Sequence, residues 1–174
     1  MRTMKAMTRT LKGALESRIG SIIPPNSATM EWLVEYAAVL CNRFNVGTDG
    51  RTPEERVKGT RTQRPICEFG EKVMYKPLRP GQGGDLEMRF YDGIYVGLTQ
   101  MADEAIVATD QGVIRTRTIR RTSEDRRWDR QAVLGIRGTP SAPIDGIKEE
   151  AIPVTTMTYP EVVRQPVTAE VEGP

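Results

Sequence analysis

The chain has 174 residues, a net charge of +2 and 38% hydrophobic residues, enough apolar material for small cores in one ordinary domain or two very small ones. It contains no histidine, which excludes His-activated nucleophiles, His acid–base chemistry and every His-containing zinc site. Its two cysteines, Cys41 and Cys67, make neither a zinc knuckle nor a disulfide framework and fit a reducing, intracellular setting.

Residues 4–22 carry Met4, Met7, Leu11, Leu15, Ile19 and Ile22 at helical spacing, which predicts a first helix ended by Pro24-Pro25. Asn26 or Ser27 can cap a second helix, with Leu33, Tyr36, Ala37, Leu40 and Phe44 on one face. Thr52-Pro53-Glu54-Glu55 reads as a capping box with proline at the first helical position, and Gly59 closes that short third helix. The period then changes from 3.6 to 2. Val73/Tyr75, Ile94/Val96, Ala105/Val107 and the continuous run Val113–Ile119 predict short strands. Pro80 to Gly84 reads as a hairpin tip, and Asp110-Gln111-Gly112 as a tight turn. The 126–134 stretch predicts a last helical turn.

Charge is uneven along the chain. Residues 1–139 hold 23 basic and 17 acidic side chains, whereas residues 140–174 hold two basic and six acidic ones. Residues 113–130 alone carry seven arginines against three acids, the pattern of a surface for a polyanion. Arg115 and Arg117 fall on one face of the predicted strand, about 7 Å apart, comparable to successive phosphates. Arg120, Arg121, Arg126 and Arg127 extend the patch. Guanidinium groups bind phosphate bidentately, so these six arginines are the candidate nucleic-acid-binding residues. A solvated strand face with Asp103 and Glu104 as cross-strand partners is the competing reading. No run is long and apolar enough for a membrane span. Capping explains Glu54 and Glu55, a turn explains Asp49 and Asp92, and core packing explains Trp32, Trp128 and Cys41, so no catalytic or metal residue is assigned.

Trp32 to Ala38, Asn42-Arg43-Phe44, Asp49 to Arg56 and Gly59 resemble the end of a retroelement integrase core of copia type. Phe69 to Val73, Asp92 to Gly97 and Gly112 to Arg121 are similar to the small β-domain that follows it in those elements. The resemblance implies an α+β chain. Residues 1–62 would be the helical end of an incomplete RNase H-like integrase core, and 66–135 a small antiparallel SH3-like β-barrel. Residues 136–174 read as a disordered, acidic, Pro-rich tail. The helices, lacking the core's sheet, would have to bury Leu33, Tyr36 and Leu40 in a helix pair or a dimer.

Function follows from the same resemblance: part of a retrotransposon integrase or Pol polyprotein acting in DNA integration. Its catalytic Asp/Asp/Glu set, and the Mg²⁺ it holds, would lie upstream of this chain. The implied partners are DNA or another nucleic acid, with the rest of the integrase or a second copy through the N-terminal helices. The nucleus is the implied compartment. The alternative is a non-catalytic protein-interaction module, an SH3- or chromo-like barrel whose acidic tail shields its own arginine face.

Overall fold

In a computed structural model the described residues are 2–60, 67–77, 90–99 and 102–143. The first helix, α1 (Arg2–Ile19), stops three residues short of the predicted Ile22. Its end is set by Gly20, not by the prolines. Gly20 adopts a left-handed φ of 62°, and the Ser21 N–H bonds back to the Glu16 carbonyl at 3.2 Å, a Schellman closure. The Glu16 carboxylate accepts from Lys12 Nζ and from the Ile23 N–H, each at 2.7 Å. Those bonds hold its pKa below the ordinary value.

Helix α2 (Ala28–Phe44) starts at Ser27, whose side chain accepts from the Met30 N–H. The capping box of α3 (Pro53–Lys58) forms as its sequence predicts. Thr52 Oγ1 accepts from the Glu55 N–H at 3.2 Å, Glu55 Oε2 accepts from the Thr52 N–H at 2.7 Å, and Gly59 closes the helix at φ 73°.

Five antiparallel strands follow: β1 (Lys72–Lys76), β2 (Tyr91–Leu98), β3 (Ala105–Thr109), β4 (Gly112–Thr116) and β5 (Thr118–Arg121). They form one sheet in the order β4-β3-β2-β1-β5. Asp110 and Gln111 make the predicted tight turn between β3 and β4, which opens at the Thr109–Gly112 pair. Asp92 lies inside β2 opposite Met74, not in a turn, and its carboxylate reaches Lys72 at 3.0 Å. The predicted hairpin tip at Pro80–Gly84 falls outside the described residues.

The run Val113–Ile119 is not one strand. It breaks at Arg117, and its two halves sit at opposite edges of the sheet. A side chain makes the break. Thr116, fully buried, donates its Oγ1 hydrogen to the Lys76 carbonyl on β1 and accepts from the Thr118 N–H at 3.3 Å. The hydroxyl thus takes the place of a ladder bond and turns the chain from β3's neighbour into β1's. A 3₁₀ turn (Glu124–Arg126) and α4 (Arg130–Leu134), capped by Asp129, complete the described elements.

Helices and sheet share one core. Leu15, Ile19, Ile23, Leu33 and Tyr36 from the helical half pack with Phe69, Val73, Ile94, Tyr95 and Val107 of the sheet half. The helices therefore pair with each other and bury Leu33 and Tyr36 in a core that the sheet completes. Helix α2 is the hub, and its polar atoms bond both flanks. Tyr36 Oη donates to the Cys67 carbonyl at 2.8 Å, Trp32 Nε1 to the Gly138 carbonyl at 2.9 Å and Thr29 Oγ1 to the Val133 carbonyl at 2.7 Å.

The stretch 136–143, assigned from its prolines to a disordered tail, is partly seated on this core. Ile136 is buried, Thr139 and Ala142 exchange backbone bonds, and the Val113 N–H donates to the Pro143 carbonyl at 2.8 Å. Residues 144–174 lie outside the described residues.

Candidate nucleic-acid interface

The corner at Thr116–Thr118 decides where the six candidate arginines stand. Arg115, on the edge strand β4, is exposed opposite Ile106. It borders a groove of about 480 Å³ between α2 and the β3–β4 hairpin, with Glu35, Tyr36, Pro140 and Pro143. Arg117 stands on the corner itself, its Nε 3.1 Å from Glu104 Oε1. Arg120, on the other edge strand, is exposed and lays its guanidinium 4.4 Å from the centre of the Phe90 ring. Arg126 is well exposed, with Asp125 at 3.9 Å.

Arg121 and Arg127 serve a different purpose. Arg121 grips both oxygens of Glu71, Nε to Oε1 at 2.6 Å and Nη2 to Oε2 at 2.9 Å. Arg127 Nε approaches Glu71 Oε1 at 3.3 Å as an ion pair, without the angle for a hydrogen bond. Glu71 is completely buried and also accepts the Glu68 N–H at 3.1 Å. Its carboxylate raises the pKa of Arg121. Burial, reinforced by the same carboxylate, pushes the neighbouring Cys67 thiol up to about 11.

The period-2 ladder of charges therefore does not exist as a straight row. Arg115 and Arg120 lie on opposite edges of the sheet, and the corner residue joins those edges. Five steps of chain join them, with four residues between, so their Cα atoms are at most about 18 Å apart. Within that span the fold exposes Arg115, Arg117 and Arg120, with Arg121 half exposed beside them, and Arg126 is exposed six residues beyond Arg120 along the chain. Of the two acids expected as partners, Glu104 meets Arg117, whereas Asp103 faces elsewhere.

Asp103 belongs to a second charged cluster that the sequence does not announce. Arg43, buried at the end of α2, donates Nε to Glu54 Oε2 at 3.1 Å and Nη2 to Asp103 Oδ1 at 2.9 Å. Lys58 Nζ adds a contact to Glu54 at 2.8 Å. The cluster borders a cavity of about 200 Å³ lined also by Val39, Pro53, Val57 and Leu98. Two cations and two carboxylates neutralise each other there, so the cavity offers no net charge to a ligand. Among the described residues no group of three or more Cys, Asp or Glu side chains is placed to hold a metal ion. No described helix is long and apolar enough to cross a membrane.

No known protein family, curated protein or solved structure matches the chain.

Proposed function

We propose that this chain is the C-terminal part of a retroelement integrase, and that it binds nucleic acid without sequence preference through the arginines around the β4–β5 corner. One observation carries the reading. Two strands next to each other in sequence stand at opposite sheet edges and leave Arg115, Arg117 and Arg120 exposed, with Arg126 exposed in the turn that follows, while the buried carboxylate of Glu71 holds Arg121 and Arg127. Such a corner is what a small SH3-like barrel needs to bring its first and last strands together, and this supports that finer description of the sheet. In this reading the chain itself supplies no catalytic carboxylate and works as the DNA-holding end of the enzyme, in the nucleus.

Salt titration tests it. With four phosphate contacts the logarithm of the binding constant for duplex DNA should fall with log[salt] at a slope of roughly −4. The double variant R115A/R120A, which removes two exposed cations and no buried partner, should flatten that slope by about two units. An unchanged slope would remove the corner from the binding surface.

A second reading, a protein-interaction module shielded by its own tail, is favoured by the bond from the Val113 N–H to the Pro143 carbonyl. Pro140 and Pro143 border the groove at Arg115, so the chain leaves the described structure beside that arginine, and six of the last 35 residues are acidic. Deleting 144–174 should tighten DNA binding if those acids screen the corner. Unchanged binding would leave the tail without that role.

A further inference from the structure

Immediately after β5 the chain reads Arg120-Arg121-Thr122-Ser123-Glu124-Asp125. We propose that Ser123 is a phosphorylation site for a kinase that selects arginines two and three residues before the acceptor, and that the phosphate switches off the arginine corner. The effect on nucleic acid rests on the function proposed above. The acceptor assignment does not.

Selection by charge requires guanidinium groups that a kinase's carboxylates can grip. Arg120, three residues before Ser123, is exposed and lies over the face of Phe90. Arg121, two before, keeps half of its side chain in solvent although it also holds Glu71. Two hydroxyls follow the arginines, and the structure separates them. Thr122 Oγ1 is buried without a hydrogen-bond partner, out of reach of an enzyme. Ser123 is exposed, its backbone is extended (φ −57°, ψ 154°), and its side chain caps no helix. Its hydroxyl bonds to Asp125, whose carboxyl pKa it lowers.

In the transfer the Ser123 Oγ attacks the γ-phosphorus of ATP. An O–P bond forms, the bond from γ-phosphorus to the β-bridging oxygen breaks, ADP leaves, and the hydroxyl proton passes to the kinase's base. The product carries about two negative charges at neutral pH. Residues 113–130 hold seven arginines against three acids, so one phosphate halves their excess positive charge. At Ser123 it stands two to four residues from Arg120, Arg121, Arg126 and Arg127, and the Cα of Arg121 is at most about 7 Å away, within the screening length of about 8 Å at physiological salt.

The test uses the full chain, native, with the catalytic subunit of the cyclic-AMP-dependent kinase and Mg·ATP, read by peptide mass spectrometry. A single phosphoryl group should appear on Ser123, vanish in S123A and incorporate at least tenfold more slowly in R120A. Phosphate on Thr122 or elsewhere, or undiminished incorporation into S123A, would overturn the assignment. The phosphorylated protein should then show a duplex-DNA salt slope flatter by one to two units than the unmodified chain. If R115A/R120A flattens the slope but phosphorylation does not, the switch is wrong and the DNA-binding reading stands. If the unmodified chain does not bind DNA at all, that reading and the switch fail together, and the acceptor assignment is decided by the mass spectra alone.

Discussion

Glu71 is the most deeply buried charge among the described residues, and its surroundings explain why the fold tolerates it. Two guanidinium groups and a backbone N–H meet its two oxygens, so its desolvation is offset by charge-assisted bonds. Replacing it with Gln keeps the volume but removes the charge that balances Arg121 and Arg127. Because both arginines reach solvent, the cost should sit at the low end for a broken buried pair, about 3 kcal/mol. Urea unfolding of E71Q, with an unchanged dependence on denaturant, would read it directly. A loss within the range of surface pairs, below about 1 kcal/mol, would mean that packing and not charge holds this corner. Nothing in the sequence reveals the anchor. Glu71 sits in Phe-Gly-Glu-Lys-Val, where it looks like one more polar residue at a strand's start, and its main partner lies 50 positions away. The same distance hid the fact that two of the six candidate arginines are structural. Arginine spacing announces charge density, but which cations face water is decided by long-range pairing.

Legibility differs sharply from element to element, for local reasons. The capping box at Thr52–Glu55 was readable to the atom because all its partners lie within four residues. The end of α1 was misplaced because two prolines are a louder signal than the single glycine that acts first. The strand break at Arg117 was invisible because Val-Ile-Arg-Thr-Arg-Thr-Ile keeps period 2 straight through it. Only the buried hydroxyl of Thr116 distinguishes a corner from a continuing strand, and a threonine in an alternating run carries no such mark. If that hydroxyl makes the corner, T116V, equal in shape, should lose about 2 kcal/mol by leaving the Lys76 carbonyl and the Thr118 N–H without their partner. T116S, which keeps the oxygen and drops a methyl, should recover most of it. Equal losses in the two variants would assign the corner to packing of the side chain instead of its bonds.

Across the whole molecule the question is whether helices and sheet are one unit or two. The sequence divides at residues 62–66, where the period changes, and a division there makes the helices look like a remnant in need of a partner. The structure supplies that partner within the same chain: α2 sends Trp32, Leu33 and Tyr36 into the core that Phe69, Tyr95 and Val133 complete. The Tyr36 ring centre lies 5.6 Å from that of Phe69 and 6.1 Å from that of Tyr95, edge-on to the latter, so the two halves interlock through aromatic faces as well as hydrogen bonds. Periodicity cannot report such docking, because an amphipathic helix shows the same stripe whatever it covers. Leu33, fully buried, tests the coupling. Truncation to Ala should cost about 2–5 kcal/mol. If the core is shared, the loss must appear equally in both halves: the helical circular-dichroism transition and the hydrogen-exchange protection of β2 and β3 amides should fall by the same free energy. A variant that melts its helices early while β2 and β3 keep full protection would show instead that the sheet folds alone and that the helices merely rest on it.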